Sequence, residues 1–369
     1  LKGKEAAVGF AWGEDEENLD HFALVEVIPN SSFSLLLTNL SPGAVYFYRA
    51  YGSNDYGTAF SDETASFTTT ARGTILYCAT NGPVWGDGSS WEMAFRDIQP
   101  ALDIAPPNTE IRLAGHTFWV TNPLLLNAKE AITLSGGWEG TGNPGNWDPS
   151  QWPTMIARPT GAISNRLMVI NAVTGSLANI SFQNGSPIDA SLRGGALVIS
   201  NALLVVDSCN FVGNTLPYSA LTSVRRYGGA LYAFNTDLLI TNCSFVSNSI
   251  SSYRQNYNHG GALYATNGSV TIANSRFIAN TVSGTGGSST YYDRNYGGAV
   301  FADAPLTVRE CLFSRNRVAT SSGGPVAGGA VYAAQDLTVE HSIFNVNRAE
   351  TILTTAQGSA IFARTNSVL

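Results

Sequence analysis

The feature that constrains the fold most is a segment of about 20 residues that the chain repeats. Residues 228–248 read GGALYAFNTDLLITNCSFVSN, and residues 260–280 read GGALYATNGSVTIANSRFIAN. A variant beginning Gly-Ser-Ala follows at Gly358, and the full copies begin at Gly194, Gly228, Gly260, Gly297 and Gly328. From the first Gly to the closing Asn the distance is 19 or 20 residues, whereas the segment from that Asn to the next Gly ranges from 11 to 17. The pattern indicates a rigid repeated unit followed by a loop of variable length.

Apolar residues occupy fixed columns when the copies are aligned on their Phe. The aligned Phe column holds Phe211, Phe245, Phe277, Phe313 and Phe344. Five positions earlier stand Val206, Ile240, Ile272, Val308 and Val339, and seven positions earlier stand Leu204, Leu238, Val270, Leu306 and Leu337. Alternation with a period of two predicts strands with one buried face, and a one-residue phase break before Phe predicts a corner.

Short strands joined by corners, in units too small to bury a core alone, predict a solenoid. Each repeat would form one coil, and equal positions would stack about 4.8 Å apart on neighbouring coils. We therefore predict an all-β fold, a right-handed parallel β-helix over residues 72–369, with the repeat coils in 161–369. The Asn column is expected at a turn, where amides bond from coil to coil. Gly-Gly-Ala is expected at the re-entry corner, which needs backbone freedom and close packing.

Residues 72–160 are predicted to contain a capping helix and the first coils. The segment GDGSSWEMAFRDIQPALDIA predicts a short helix that Ser89 and Glu92 begin as a capping box and that Pro100 bends. Its apolar face is expected to hold Phe95, Ile98, Leu102 and Ile104. The segment resembles the N-terminal cap of extracellular bacterial β-helix proteins, whose helix covers the first coil. An uncovered coil would leave an open sheet edge that promotes aggregation.

The first 71 residues have a different pattern. Leu40, Pro42 and Tyr46 follow the spacing Leu-x-Pro-x-x-x-Tyr within LTNLSPGAVYFYRAYGSNDYGTAFSDETASFTT. The segment resembles the last strands of a fibronectin type III domain, where this spacing marks the tyrosine corner. The resemblance implies a small β-sandwich module over 1–71 that acts as a spacer, with its opening strands missing and AAVGFAWGE as a middle strand.

The paired G-G-A-[ILV] and F-x-x-N motifs, from Gly194 to Asn347, resemble the repeats of polymorphic outer-membrane proteins. These are autotransporter-type bacterial surface adhesins. ISFQN at 180–184 departs from the pattern because it is one residue short of the Phe-x-x-Asn spacing. The resemblance implies a β-helix exposed outside the bacterial cell, at its surface, that serves adhesion or structure.

The composition of the chain limits the classes of partner that it is expected to bind. The chain has 20 Lys and Arg against 27 Asp and Glu, a formal net charge of −7, which argues against nucleic acid or an anionic membrane surface as partner. No apolar stretch is long enough to span a bilayer, and no secretory signal is found. Because the chain begins LKGKEAAVGF and ends inside another copy of the repeat, we interpret it as a piece of a longer polypeptide. Membrane contact would then lie outside this segment, and exposed coil edges would permit self-assembly.

The cysteines suggest either structural filler or chemistry. Cys209, Cys243 and Cys311 share one inward column in which other repeats have Ser, so buried filler is the preferred interpretation. A bridge between Cys209 and Cys243 remains open, since adjacent coils bring them near each other. No CxxC motif or His cluster suggests zinc, and we expect neither a metal nor a cofactor.

An enzymatic function is the alternative interpretation, because β-helices also carry pectin-cleaving enzymes. Asn235-Thr236-Asp237 resembles the first motif of the polygalacturonase family, and His259-Gly260 resembles part of another, but the family's paired aspartates, Gly-His-Gly and Arg-x-Lys are absent. Inverting hydrolysis needs two carboxyl groups about 6.5–9.5 Å apart. The positions equivalent to Asp237 are Ser269 and Pro305. We expect a non-enzymatic protein, with a polysaccharide lyase or glycoside hydrolase as the alternative.

The segments after the closing Asn suggest a binding surface. TLPYSALTSVRRY, SISSYRQNYNH and TVSGTGGSSTYYDRNY each precede Gly-Gly-Ala. They place Tyr and Arg at equivalent positions in three consecutive coils, namely Arg225, Arg226, Tyr227, Tyr253, Arg254, Tyr257, Tyr291, Tyr292, Arg294 and Tyr296. Rings that stack on sugars and guanidinium groups that bind carboxylates predict a ridge that binds an extracellular acidic glycan or a surface protein. Packing of these loops on one another along the helix is the other interpretation.

Overall fold

The computed structural model describes residues 7–25, 35, 37, 40, 44–68, 74–159, 161, 165–188, 192–217, 225–253, 257–285, 294–321, 324–352, 355–364 and 367–368. The chain divides into two compact units, Leu1–Gly73 and Thr74–Leu369.

The first unit contains one antiparallel sheet of five strands. They are β1 (Ala7–Gly13), β2 (His21–Val25), β3 (Val45–Asn54), β4 (Gly57–Phe60) and β5 (Ala65–Thr68). The order is β2-β1-β3-β4, with β5 also paired to β3, so β1 is a middle strand as predicted. Tyr46 is buried, and its hydroxyl donates to Glu14 Oε1 at 2.8 Å. The described residues of this unit form a single sheet, so the second layer of the expected sandwich is not among them.

The second unit begins with a region of longer and less regular elements. These are β6 (Ile75–Cys78), α1 (Ile98–Ile104), β7 (Glu110–Ala114), β8 (Thr117–Trp119), β9 (Leu124–Trp138), β10 (Thr154–Ala157), β11 (Met168–Ala178) and β12 (Ile180–Gln183). Strands β9 and β11 are long because each spans a corner and contributes to two faces of the solenoid.

The capping helix begins later than its predicted capping box. Helix α1 follows Asp97, and Ser89 and Glu92 lie in the turns before it, where Ser90 Oγ accepts a bond from the Met93 N–H. The reason is Pro100, which lacks an N–H and would clash with the carbonyl four residues earlier, so it fits only the first turn. The predicted capping box and bend are therefore wrong.

Helix α1 nevertheless covers the first coil. Ile98 and Leu102 are buried as expected, whereas Ile104 is 56% exposed. The Gln99 amide binds the edge of β9 in both directions, because its Nε2 donates to Leu125 O at 3.0 Å and its Oε1 accepts from Leu125 N at 2.7 Å. Lys129 Nζ donates to the carbonyl of Ala105 at 2.7 Å, at the end of the helix. Side chains thus satisfy backbone groups that an open sheet edge would leave exposed.

Each of the five full repeats contributes five strands. The first repeat contains β13 (Leu197–Ser200), β14 (Leu203–Asp207), β15 (Asn210–Val212), β16 (Thr215–Leu216) and β17 (Arg225–Tyr227). The second contains β18 (Leu231–Phe234), β19 (Asp237–Thr241), β20 (Ser244–Val246), β21 (Ser249–Tyr253) and β22 (Tyr257–His259). The third contains β23 (Leu263–Thr266), β24 (Ser269–Ala273), β25 (Arg276–Ile278), β26 (Thr281–Thr285) and β27 (Arg294–Tyr296).

The remaining repeats follow the same order. The fourth contains β28 (Val300–Asp303), β29 (Leu306–Arg309), β30 (Leu312–Ser314), β31 (Arg317–Thr320) and β32 (Val326–Ala327). The fifth contains β33 (Val331–Ala333), β34 (Leu337–Glu340), β35 (Ile343–Asn345), β36 (Arg348–Thr351) and β37 (Ala356–Gln357), and β38 (Ile361–Ala363) and β39 (Ser367–Val368) follow it. Corresponding strands pair in parallel from coil to coil and form a parallel β-solenoid of about eight turns. We call the stacks formed by the first to the fifth strand of each repeat the first to the fifth sheet, of which the first and second are joined into one 16-stranded sheet.

The Phe column is one continuous internal stack, as predicted. Phe211, Phe245, Phe277 and Phe313 have no exposed surface, and neighbouring ring centroids from Phe211 to Phe344 lie 4.5–4.8 Å apart. The stack extends one coil further, because the ring of Phe182 lies 5.2 Å from that of Phe211. Like side chains on successive coils thus form a core that no single coil has.

Two further predicted columns are confirmed at the corners. In the Asn column, the Oδ1 of Asn248 accepts from the N–H and the Nδ2 of Asn214 at 3.0 and 3.1 Å, and its own Nδ2 donates to Phe211 O at 2.9 Å. In Gly-Gly-Ala, Gly228 has a φ of +69°, which favours glycine. A Cβ on the second glycine, Gly229, would lie 2.0 Å from Gly261 O on the next coil.

The segment after the closing Asn is more ordered than the predicted loop. Its fourth and fifth strands form two additional five-stranded parallel sheets. They enclose a small second core of Leu216, Ile250, Val282, Val318 and Val326. The apolar residue two places after each Asn continues the alternation of a strand, and stacking buries it. The variable length is confined to the connection between these two strands.

Candidate functional site: the ridge of the fifth sheet

Strand pairing in the fifth sheet arranges the predicted Tyr and Arg residues in three columns. Strands β17, β22 and β27 pair in parallel, each residue opposite its equivalent. The outer column holds Arg225, Tyr257 and Arg294, the middle column Arg226, Asn258 and Asn295, and the inner column Tyr227, His259 and Tyr296. Six of the ten predicted residues are thus brought together. Tyr253 ends β21 in the fourth sheet, and Arg254, Tyr291 and Tyr292 lie outside the described residues.

The outer column is a stack of cation, ring and cation. The guanidinium carbon of Arg225 lies 5.5 Å from the ring centroid of Tyr257, and that of Arg294 lies 5.3 Å from the same centroid. Both arginines are exposed and Tyr257 is partly buried. Across the part of the chain that the structure describes, no carboxylate is within salt-bridge distance of either arginine. We call these three residues the Arg–Tyr–Arg column.

The middle column is structural. Arg226, Asn258 and Asn295 have no exposed surface. The Nδ2 of Asn258 donates to Ser252 Oγ and to Asn295 Oδ1, both at 2.6 Å, and the Nδ2 of Asn295 donates to Ala319 O at 2.8 Å. These bonds tie the fifth sheet to the fourth. Arg226 was expected to bind a ligand, but its side chain is buried between the two sheets and does not reach the surface.

The inner column packs on the outer surface of the first sheet. The ring of Tyr227 lies 4.4 Å from that of Tyr264, His259 lies 4.4 Å from Phe301, and Tyr296 lies 4.8 Å from Tyr332. The first-sheet rings stack on one another at 4.8–5.4 Å, in the order Tyr232, Tyr264, Phe301, Tyr332 and Phe362. We call the two interlocked columns the aromatic zipper. For Tyr227 and Tyr296, packing is the correct interpretation.

The sequence analysis missed the first-sheet half of the zipper, although its signal was present. An aromatic residue follows Gly-Gly-Ala-[LV] in four consecutive repeats, at Tyr232, Tyr264, Phe301 and Tyr332. Each stands one position after a buried aliphatic residue, so alternation points it outward. An outward column of aromatic rings on consecutive coils predicts a second layer that covers it.

Burial and the arginines together determine the protonation of the ridge. Burial, together with the charges of Arg225 and Arg294, lowers the pKa of His259 to about 3. Burial raises the pKa of Tyr227 and of Tyr296, against the opposing effect of Arg225 on the first and Arg294 on the second. The hydroxyl groups of Tyr227 and Tyr296 and the imidazole of His259 are therefore neutral at physiological pH, and the guanidinium groups carry the charge of the described ridge.

The Asn-Thr-Asp motif lies in a separate groove at the corner between the first and second sheets. The groove has a volume of about 490 Å³, and Lys129, Glu130, Asn201, Asn235 and Asp237 contribute to its lining. Asp237 pairs with Leu203 and Ser269 on the neighbouring coils and accepts a bond from Ser269 Oγ at 2.7 Å. Glu130 belongs to a coil three steps away, which at the spacing of strands is about 14 Å. This backbone separation is larger than the distance of about 6.5–9.5 Å between the carboxyl groups of an inverting glycosidase.

The cysteines are filler within the described coils. Cys209, Cys243 and Cys311 are buried free thiols, and the N–H of Cys209 donates to Cys243 Sγ at 3.4 Å. Burial raises the pKa of Cys209. In the described ranges, no group of three or more His, Cys, Asp or Glu residues is placed to hold a metal ion. Helices long and apolar enough to cross a membrane are also absent from the residues that the structure describes.

No protein-family model, characterised protein or solved structure matches this chain. The class of protein therefore follows from the fold alone. The chain contains a parallel β-helix repeat domain, and a ridge of arginines and aromatic rings runs along the side of its coils.

Proposed function

We propose that this chain is part of a non-enzymatic bacterial surface protein, exposed outside the cell, that serves as an adhesin or structural element. Its ridge would bind an extracellular glycan or a surface protein. The observation that carries the proposal is the Arg–Tyr–Arg column, two exposed cations held on one ring with no carboxylate in salt-bridge distance among the described residues.

The support from the fold is that the ridge is preorganised. Strand β22 pairs with β17 on one side and β27 on the other, and the zipper fixes one side of the fifth sheet. A surface that is ordered before binding loses little conformational entropy on association. The resemblance of the repeats to those of autotransporter-type adhesins agrees with an extracellular location.

The test compares two double variants that remove the same charge. Arg225→Ala with Arg294→Ala is expected to reduce binding to a glycan array and to whole cells. Arg276→Ala with Arg309→Ala, which removes two exposed arginines on the third and second sheets, is expected to leave binding unchanged. Equal binding by the two variants would contradict the proposal, provided that both keep the circular dichroism spectrum of the original chain.

Polysaccharide cleavage is the second candidate function, and the groove beside Asp237 is the observation that favours it. Release of reducing ends or of unsaturated products from pectin, alginate and host glycans would measure it. Activity that disappears in Asp237→Asn would support the enzyme and replace the adhesin as the main function. The isolation of Asp237 from other acids on adjacent coils leads us to expect no release.

A further inference from the structure

We propose that the Arg–Tyr–Arg column recognises the charge of an anionic polysaccharide whose chain lies along the axis of the solenoid. The proposal rests on the proposed function and names its ligand class, an extended uronic-acid polymer. Three features of the ridge favour recognition of charge. The faces of its rings are covered, its two arginines are two coils apart, and the backbone groups of its central strand are paired within the sheet.

The rings of the described ridge are already occupied. The two guanidinium groups lie over the ring of Tyr257, 5.5 and 5.3 Å from its centroid. The rings of Tyr227 and Tyr296 pack in the aromatic zipper. A neutral sugar binds to an aromatic surface by stacking on an open ring face. The column instead presents the N–H edges of two guanidinium groups, which match the geometry of a carboxylate.

The spacing of the two cations selects a polymer over a single sugar. Arg225 and Arg294 are two coils apart, which at the spacing of paired strands is about 10 Å. In an extended 1,4-linked chain, alternate sugars direct their carboxylates to the same side, so two such groups are separated by two sugar lengths. A chain parallel to the solenoid axis therefore brings one carboxylate to each arginine. A monosaccharide acid contacts only one of them.

The strand pairing argues against an extended peptide as the ligand. Strand β22 has β17 on one side and β27 on the other, so its backbone groups are used within the sheet. A peptide that binds to a sheet needs a free strand edge for its own N–H and C=O groups. A polysaccharide has no such requirement, and its carboxylates need only side-chain donors.

Tyr257 is a positioning residue in this arrangement. It contacts no ligand directly but holds both guanidinium groups by cation–π interactions. The zipper and the buried middle column hold the strand below it. Removal of the ring would release both arginines, whereas removal of the hydroxyl alone would keep the stack.

The experiment measures the affinity of the chain for a purified oligogalacturonate and for the same oligomer fully methyl-esterified. We expect the free acid to bind at least about tenfold more tightly than the neutral ester, because each carboxylate loses a charge-assisted bond on esterification. Its affinity should fall as salt rises. Galacturonic acid alone should compete weakly.

Variants assign the effect to the column. Arg225→Gln and Arg294→Gln should each weaken oligogalacturonate binding about tenfold. Tyr257→Phe should bind as the original chain does, and Tyr257→Ala should weaken binding as much as the double arginine variant. Equal thermal midpoints of Tyr257→Phe and Tyr257→Ala would separate positioning from a general loss of structure.

The outcomes distinguish this inference from the proposed function. Equal binding of acid and ester, or full binding by the double Arg→Gln variant, would overturn the inference. Tighter binding of poly-glutamate than of oligogalacturonate would also overturn it, in favour of an acidic protein partner. Cell adhesion that depends on Arg225 and Arg294 without any binding of oligogalacturonate would refute the inference and leave the function standing. Adhesion indifferent to both arginines would refute the function itself.

Discussion

The Phe column and the Arg–Tyr–Arg column both run along the same solenoid, but they obey different constraints. The Phe column repeats one residue on every coil from Phe182 to Phe344, with neighbouring rings within 15° of parallel. The outer column changes residue at each coil, from Arg225 to Tyr257 to Arg294. Interiors are close-packed, and a Phe ring that lies between two stacked rings leaves no room for a different shape. A solvent-facing column has no such constraint and is free to acquire a charge pattern.

The aromatic zipper lies between these extremes. Its first-sheet column keeps a flat ring but alternates Tyr with Phe, as at Tyr264 and Phe301. A ring is needed because another ring packs on it, whereas the hydroxyl is optional, since Phe301 occupies the same column without one. Among these three columns of rings and arginines, the residue is therefore repeated most strictly where the column is most enclosed.

The largest expected effect comes from removing one ring of the Phe column. Phe245→Ala removes a ring with no exposed surface between two stacked rings, and we expect the free energy of unfolding to fall by about 3–5 kcal/mol. Tyr264→Ala in the zipper should cost less, about 1–3 kcal/mol, because the outer layer can relax into the gap. Urea unfolding followed by circular dichroism measures both. Equal losses would show that the two layers are equally constrained.

The second effect concerns the corner that lets the columns align. Gly261→Ala places a Cβ about 2.2 Å from Gly298 O on the next coil, a contact that the backbone must move to relieve. We expect a loss of about 1–3 kcal/mol in unfolding free energy. Thr271→Ala, on the outward side of β24 in the same coil, should change it by no more than about 0.5 kcal/mol. If Gly261→Ala left the free energy of unfolding unchanged, the coils would be packed less closely at this corner than the structure shows.

The third effect compares buried and exposed amides. The side chain of Asn280 accepts from Asn248 N and donates to Phe245 O, so Asn280→Ala leaves buried backbone groups unsatisfied. The expected cost is about 1–3 kcal/mol. Asn235→Gly removes an exposed hydrogen bond to Asn201, and glycine still adopts the positive φ of 49° at this position. The expected loss of unfolding free energy is a few tenths of the loss expected for Asn280→Ala. A larger loss at position 235 would contradict the assignment of the stabilising ladder to the interior.

The smallest effect at neutral pH is a pH dependence of stability that originates in the zipper. His259 titrates near 6.5 when unfolded and near 3 when folded, so the unfolded chain binds a proton that the folded chain does not. Stability should therefore decrease as the pH falls through this window, by at most about 1.4 kcal/mol per pH unit from this residue. His259→Phe keeps a ring against Phe301 and should lose this part of the pH dependence, so that the difference in stability between the variant and the original chain changes as the pH falls. Parallel curves would rule out the burial of a neutral imidazole.

The repeat pattern allowed most of the solenoid to be predicted. The Phe column, the Asn ladder and the Gly-Gly-Ala corner follow from alternation, equal spacing and the conformational freedom of glycine. The start of α1 was predicted incorrectly, because the Ser89–Glu92 spacing fits a capping box while Pro100 restricts where the helix begins. The fourth and fifth strands were interpreted as loops, because each is too short to show a period by itself and becomes ordered only by stacking.

The ridge shows where prediction by sequence ends. By itself, the sequence determined that Tyr and Arg occur at equivalent positions of consecutive coils, because they stand directly before Gly-Gly-Ala in each of three repeats. Only the tertiary structure decided that Arg225 is exposed, that its neighbour Arg226 is buried and that Tyr227 packs on another sheet. The reason is that the fifth sheet lies between the fourth and the first. Of three adjacent residues, Arg225 therefore faces solvent, Arg226 faces the core between the fourth and fifth sheets, and Tyr227 faces the rings of the first sheet. No local spacing encodes which elements lie on either side.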